Sequence, residues 1–254
     1  MMNLLRSEWI KLRTVTMNWV LAIIAIVFPL AVTLITAGVN GDQSDFSART
    51  LLELISGSSF VSVLLLGTIA VSSITSEFGF GTIRPTFAAV PRRAAVIVAK
   101  GVVAVFSAMA IQTIVVTIGV IGGKALADSR GASIDMDSES TLYPVLIGIV
   151  LLAGLAALFG YGIGMLIRNT PASIAVFILW PLLAEGLIGG LLFVITRSSS
   201  VPEWMPFRAG FRLAAVSIGS SDSGPTRVVA GIYFGGVSLA LASLGAWMVN
   251  RRDA

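Results

Sequence analysis

Apolar residues along this chain are gathered into six long runs, and the shorter stretches between the runs hold nearly all of the charged side chains. A helix rises about 1.5 Å per residue, so about 20 apolar residues cross the roughly 30 Å hydrocarbon core of a bilayer. Each run has that length and contains at most one charged residue. The pattern therefore predicts six membrane-spanning helices, over residues 17–38, 54–76, 95–123, 142–167, 172–196 and 228–249.

The composition supports an all-α integral membrane protein that forms a single domain over residues 1–254. Apolar residues make up 56% of the chain and charged residues 12%, whereas about 25% of the residues in soluble domains are charged. The longest stretch between predicted spans, residues 197–227, is shorter than a domain that usually folds alone. We therefore expect the energy source to lie on another chain or in an ion gradient.

The distribution of cations predicts the orientation of the spans. If the amino terminus is cytoplasmic, ten of the 17 lysines and arginines lie on the cytoplasmic side, which is the side that positive loops favour. We therefore expect both termini inside the cytoplasmic (inner) membrane of a bacterium. Because the cations are spread over many loops, the net charge of +4 does not indicate nucleic-acid binding.

Two residue types are absent from the sequence, histidine and cysteine. Their absence excludes disulfides, thiol nucleophiles and the usual histidine-based metal and acid–base chemistry. The segment Gly122-Gly123-Lys124 also lacks the remaining residues of a phosphate-binding loop. We expect a transport subunit rather than an enzyme, with no catalytic residue, cofactor or metal on this chain.

The segment before the first span has a helical stripe of apolar residues at Met2, Leu5, Trp9 and Leu12. Apolar residues three and four positions apart lie on one face of a helix, so residues 1–16 are predicted to form an amphipathic interfacial helix. A basic anchor that only fixes topology is the alternative. The first span exceeds the about 7 to 15 apolar residues of a cleaved signal peptide, so we expect it to be retained. The candidate interfacial residues are Leu5, Trp9, Lys11, Leu12 and Arg13.

The most specific segment is the connection over residues 77–94, predicted to be cytoplasmic. It places phenylalanines among charged residues, and exposed apolar groups with a charged rim commonly mark a protein contact. Pro85 and Pro91 limit a helix between them to about a turn and a half. Insertion of the phenylalanines among lipid headgroups is the alternative. The candidate contact residues are Glu77, Phe80, Gly81, Thr82, Arg84, Phe87, Pro91 and Arg93.

A family resemblance emerges from the order of these segments. The opening Ser7-Glu8-Trp9-Ile10-Lys11-Leu12-Arg13, then Glu77, Gly81-Thr82-Ile83-Arg84, Pro91-Arg92-Arg93 and Lys100, resembles the permease subunits of ABC-2 type transporters, especially the short actinobacterial kind. The resemblance implies a short cytoplasmic coupling helix between spans two and three that docks on a separate ATPase. It also implies a dimer, of two copies or with a similar permease, that works with two ATPases carrying ATP and Mg.

These observations lead us to expect an exporter of a hydrophobic or amphipathic drug, peptide or lipid. A complex for sensing or immunity toward peptide antibiotics is the first alternative. A gradient-driven carrier is the second, but such carriers usually need several buried ionisable groups. Only Glu185 and Lys100 are candidates within the predicted spans.

Glu185 is the one acidic residue within a predicted span, four positions after Pro181. A carboxylate at membrane depth is costly unless it is paired, protonated or in contact with water, so it is a functional candidate. A cavity, a helix interface and a position near the outer surface all remain possible sites for it.

The predicted outer segment over residues 197–227 contains three aromatic residues on a possible amphipathic helix: Trp204, Phe207 and Phe211. Their pattern indicates a helix at the membrane interface. A re-entrant outer gate is the alternative, which the family resemblance favours.

Overall fold

The computed structural model describes residues 2–41, 46–82, 93–132, 134–136, 139–217 and 224–252. Most of these residues are helical. In chain order the helices are α1 (Met2–Thr14), α2 (Thr16–Asn40), α3 (Ala48–Gly79), α4 (Arg93–Ser129), α5 (Leu142–Ile167), α6 (Thr170–Leu179), a π-helical turn (Trp180–Ala184), α7 (Glu185–Thr196), α8 (Ser200–Glu203), α9 (Pro206–Phe211) and α10 (Arg227–Arg252).

Within the part of the chain that the structure describes, six helical segments are long and apolar enough to cross a membrane, which confirms the predicted all-helical membrane fold. The coupling helix expected between spans two and three falls on residues 83–92, which lie outside the described residues. The helix of the second span begins six residues before the predicted start, because Ser47 and Thr50 form a capping box that extends it. The same helix continues to Gly79 and ends where Gly81 adopts a φ of +69°, a conformation that glycine adopts without steric cost. Glu77 therefore lies in the last helical turn and not in the loop.

The fifth span is one continuous helix over Thr170–Thr196, as its hydrophobic pattern predicts, but it contains a π-helical turn. Asn169 caps the start of α6 by accepting a hydrogen bond from the Ala172 backbone N–H at 3.0 Å. Further along, Pro181 lies in the π-helical turn between α6 and α7. Proline cannot donate the backbone hydrogen bond of a regular helix, and wider π turns accommodate such a break.

Helices α3 and α5 form the centre of the bundle. In the most apolar 18-residue window of α3, 67% of the residues are buried, against 22% in α2 and 11% in the fifth span. Gly160 and Gly164 of α5 face α3 so closely that a Cβ atom at either position would meet Val71 or Ile74 at 3.0 Å or less. Small residues allow such close approach of helices in a membrane. The first, fifth and sixth spans, with 22%, 11% and 22% of the corresponding residues buried, are on the outside of the bundle.

A buried polar contact joins the first three spans. Gln112 of α4 is fully buried and accepts a hydrogen bond from Ser62 at 2.8 Å, while its amide nitrogen donates to Ser59 at 3.1 Å. The Ser62 hydroxyl is also 2.8 Å from the backbone oxygen of Ala25 in α2. Hydrogen bonds of this kind fix helix pairs against one another where no water is present.

Candidate functional site

Four charged side chains meet where α3 ends and α4 begins. Glu8 comes from α1, Lys11 from the next turn of α1, Glu77 from α3 and Lys100 from α4. We refer to these residues as the four-charge cluster. Lys11 Nζ is 2.9 Å from Glu8 Oε1 and 2.9 Å from Glu77 Oε1, and Lys100 Nζ is 2.9 Å from Glu77 Oε1 and pairs with Glu8 Oε2. The cluster is electrically neutral and joins three helices.

Three of the four side chains in this cluster are buried. The exposed fractions of Glu8, Lys100 and Glu77 are 3%, 5% and 8%. Removing one member of a buried ion pair leaves an uncompensated charge, which is strongly destabilising. The cluster therefore holds α1 firmly against the ends of α3 and α4.

Helix α1 turns Glu8 and Lys11 toward the rest of the protein, whereas Arg6 and Arg13 are exposed. Glu8 is its buried residue, and Leu4 and Leu12 pack against the core on the same side. Leu5 is half-buried, whereas Trp9 and Arg13 are exposed and Arg13 lies 6.0 Å from the centre of the Trp9 ring. The sequence stripe predicted an amphipathic helix but did not single out Glu8, because a charged residue is seldom the most buried one.

Lys11 lies outside the spans and has a raised pKa. Burial acts to lower the pKa of Lys11, but the hydrogen bonds to Glu8 and Glu77 and their negative charges outweigh it. Lys11 therefore remains a cation at neutral pH and keeps its contacts with both carboxylates.

The structure corrects the expected position of Glu77. We expected this carboxylate to contact a partner protein from the loop, but it is buried within the chain and paired with two lysines. The sequence did not show that Glu77 is helical, because the apolar run that predicts the second span ends at residue 76, whereas the helix continues to Gly79. Glu77 therefore links the end of α3 to α1 and α4.

Two further contacts fix the same end of the bundle. Phe78, next to Glu77, lies 4.9 Å beneath the guanidinium of Arg168, which joins α5 to α6. Asn18 of α2 donates to the Leu12 backbone oxygen at 3.0 Å and accepts from Ser72 of α3 at 3.3 Å. The elbow between α1 and α2 is therefore tied to α3.

The remaining predicted contact residues come directly after α3. Phe80 is 83% exposed, and Gly81 and Thr82 are also exposed. Arg84, Phe87 and Pro91 lie outside the described residues, and so does the side chain of Arg93 at the start of α4. Phe80 is therefore an exposed phenylalanine next to the ion-paired end of α3.

A cavity of about 820 Å³ opens beside the four-charge cluster. Its polar wall includes Asn18, Ser72, Ser73 and Ser76 in addition to the cluster. Other parts of the lining are apolar: Leu12, Val15, Met17, Phe80 and Val103. The cavity is thus amphipathic, with charge on one side.

Glu185 lies in a second polar site, far along the chain from the cluster. It is 1% exposed, and its Oε1 atom accepts from the Trp180 indole N–H at 3.0 Å and from the Phe207 backbone N–H at 2.7 Å. Its Oε2 atom accepts from the Arg208 backbone N–H at 2.9 Å. The carboxylate therefore caps the start of α9, where free N–H groups favour a negative charge. Of the three sites left open for Glu185, this is a helix interface.

The described part of the outer segment contains two short helices, α8 and α9, and its three aromatic residues occupy different environments. Phe207 is fully buried, with ring centres 5.0 Å from Phe159 and 5.1 Å from Phe234. Phe211 is half-buried against Phe60 at 4.9 Å, whereas Trp204 is 42% exposed. The single interfacial helix predicted from the pattern is therefore incorrect: α9 inserts Phe207 into the protein core.

A close backbone contact between Leu213 and Gly148 of α5 holds the stretch after α9 against the bundle. A Cβ atom on Gly148 would lie 1.8 Å from the Leu213 backbone oxygen, so only glycine fits at this point of α5. Together with the Glu185 cap, the contact holds the outer segment on the bundle.

Comparison with known families decides the class of protein. A family model described as "ABC-2 family transporter protein" matches residues 4–184. The chain belongs to the ABC-2 transporter family. This ABC-2 protein is thus a multi-pass membrane component of a transport system, and the family implies an ATPase partner. No curated protein matches the chain at a significant level.

Of the two polar sites of the ABC-2 protein, only the four-charge cluster lies within the region that the family model matches. The matched region includes all of the four-charge cluster, whereas it ends one residue before Glu185. The sequence motifs that indicated the family also contain Glu8, Lys11, Glu77 and Lys100. The motifs therefore contained all four residues of the cluster, but their spacing along the sequence did not reveal that they are in contact.

Proposed function

We propose that this ABC-2 protein is the permease subunit of an exporter in the bacterial cytoplasmic membrane. In this proposal a separate ATPase binds ATP and Mg and docks on the connection between α3 and α4. The substrate is a hydrophobic or amphipathic drug, peptide or lipid. Both termini of the permease are cytoplasmic.

The four-charge cluster is the observation that supports this proposal most directly. It clamps the two helices from which the connection emerges, since Glu77 and Lys100 pair with each other and with residues of α1. A rigid base transmits a displacement of the connection to the spans, whereas a loosely held loop would absorb it. The exposed Phe80 lies beside that base, where it can serve as an anchor for the ATPase.

Dimer formation is the second part of the proposal. The first, fifth and sixth spans bury only 22%, 11% and 22% of the residues in their most apolar stretches within the chain. All three spans therefore have apolar faces for a second copy or a similar permease, in addition to lipid. We propose one permease pair with two ATPases, with the first and fifth spans near the contact, as the family resemblance implies.

The decisive experiment is co-purification of the ATPase with permease variants. Truncating an aromatic anchor at a packed interface commonly costs about 2 kcal/mol, or about 30-fold in association. Phe80→Ala and Phe87→Ala should reduce ATPase capture and substrate-stimulated hydrolysis in vesicles. Phe106→Ala is the matched control, because Phe106 is 65% exposed on α4, within the third span. Unchanged capture and coupling in both loop variants would refute docking at this connection.

A further inference from the structure

The face of α1 that points away from the protein has two arginines and two large apolar residues. Residues three, four and seven positions apart lie on one face of a helix, so Arg6, Trp9, Ile10 and Arg13 form a single stripe. All four side chains are exposed, Trp9 by 44% and Ile10 by 52%. We refer to these four residues as the exposed stripe of α1. Positive charge lies at both ends of the stripe, and apolar surface lies in the middle.

The two arginines of the stripe have no acidic counterpart. In the part of the chain that the structure describes, neither guanidinium forms an ion pair with a carboxylate. The acidic residue of α1 is Glu8, which is buried on the opposite face and paired with Lys11 and Lys100. Because the four-charge cluster is neutral, it does not offset the charge of the stripe. The stripe thus has two uncompensated cations separated by seven residues, or about 10 Å along the helix.

A hydrogen bond places one end of the stripe where the first span begins. The Trp19 indole N–H donates to the Arg13 backbone oxygen at 2.7 Å. Trp19 is 50% exposed in the first turn of the first span, and tryptophan is enriched where spans meet the lipid head groups. Val15 alone separates α1 from α2. The carboxyl end of the stripe is therefore held at the level of the head groups.

We propose that the exposed stripe of α1 binds anionic phospholipids, such as phosphatidylglycerol, in the adjacent leaflet. The guanidinium groups of Arg6 and Arg13 bind the phosphates with paired N–H donors, and Trp9 and Ile10 insert between the head groups. The uncompensated charge selects lipids with a net negative charge over zwitterionic ones, whose own cation offsets the phosphate. Lipid binding requires neither an ATPase nor transport, so this proposal and the proposed function can fail separately.

Photocrosslinking from within the stripe tests which lipid lies beside it. Ile10 is replaced by benzoylphenylalanine, and the purified protein is placed in nanodiscs of equal parts dioleoylphosphatidylglycerol and dioleoylphosphatidylcholine. Mass spectrometry of the crosslinked products gives the ratio of the first lipid to the second. Phe106, which is 65% exposed on α4 within the third span, is replaced in the same way to give the bulk ratio.

The ratio from Ile10 should exceed the bulk ratio. One arginine near an anionic membrane surface contributes about fivefold, equivalent to about 1 kcal/mol. We therefore expect the phosphatidylglycerol ratio from Ile10 to be at least about fivefold higher than the ratio from Phe106. Equal ratios at the two positions would overturn the proposal.

Charge-removing variants show whether the arginines cause this preference. Arg6→Gln combined with Arg13→Gln should lower the ratio from Ile10 to the bulk value, whereas lysine at both positions should retain most of the preference. Arg130→Gln combined with Arg197→Gln is the matched control, because it removes the same charge from exposed positions at the opposite ends of the third and fifth spans. This control should leave the ratio from Ile10 unchanged. A wild-type ratio in the glutamine variant of the stripe, or an equal loss in the control, would contradict the site.

An acidic protein surface is the other kind of partner that two arginines can bind. The capture of the ATPase by the Arg6→Gln and Arg13→Gln variant separates the two partners. We expect a lowered lipid ratio and wild-type capture. Reduced capture with a wild-type lipid ratio would assign the stripe to a protein contact and overturn the proposal.

Discussion

Lys100 Nζ lies 2.9 Å from Glu77 Oε1, although the two residues are 23 positions apart and belong to different spans. This ion pair joins the last turn of α3 to α4. Glu8 also pairs with Lys100, so α1 is held by the same group of charges. The stability of this end of the bundle therefore depends on these charges.

Lys100→Met should destabilise the protein by about 3–5 kcal/mol, because it leaves two buried carboxylates with one remaining lysine. The double variant Glu77→Gln with Lys100→Met should lose less than the sum of the single variants, since it removes one charge of each sign. Unfolding of the purified proteins in detergent provides the measurement. Arg49→Met is the control, because the Arg49–Glu53 pair is exposed and should contribute at most about 1 kcal/mol.

The contacts of Lys11 predict a loss of stability at alkaline pH. The pKa of Lys11 is raised in the folded protein above its ordinary value of 10.5. Below that value both the folded and the unfolded chain carry the proton, so the full stabilisation is present. As the pH rises from 10.5 through the folded pKa, the unfolded chain loses the proton first and stability falls. The stability difference between wild type and Lys11→Met should shrink over this range; a constant difference would contradict the assignment.

Glu185→Gln should loosen α9 without unfolding the spans. An amide offers one oxygen where the carboxylate accepts from Phe207 and Arg208 with two, so at least one backbone N–H loses its partner. The expected cost is about 1–3 kcal/mol. Hydrogen exchange at the Phe207 and Arg208 amides provides the measurement. Glu203→Gln, whose contacts with Arg208 and Arg212 are 3.4 Å long, should change exchange much less.

Phe207→Ala should be among the most destabilising changes in the outer segment. Its ring is fully buried against Phe159, Phe177 and Phe234, and truncation of a buried phenylalanine costs about 3–5 kcal/mol. Trp204→Ala removes a larger but half-exposed ring and should cost less. Thermal unfolding of the two variants in the same detergent compares them, and an equal loss would argue against a core position for Phe207.

The sequence predicted the spans because each one has to be continuously apolar over a length that the bilayer sets. It did not predict the π-helical turn within the fifth span, since Pro181 is compatible with a kinked α-helix as well as with a π turn. Nor did it predict the partners of Glu8 and Lys100, which are 92 positions apart. Helical periodicity describes which residues share a face, whereas pairing between distant helices depends on how the bundle packs.

The Glu185 site is a second case in which the sequence identified a residue but not its partners. The sequence identified this carboxylate because acids are rare within spans, and that reasoning depends on one residue only. Its partners are two backbone N–H groups of α9 and the indole of Trp180. Backbone donors have no signature in the sequence, so the capping role became visible only with the fold.

The contact between Glu8 and Lys100 also determines the stage of synthesis at which α1 can reach its final position. Glu8 leaves the ribosome well before its partner Lys100, which belongs to α4. Until α4 is synthesised, α1 has no place in which to bury this carboxylate and has to remain in contact with water. Helix α1 is thus translated before α4 but reaches its final position only afterwards, and insertion of α4 is the step that allows it to do so.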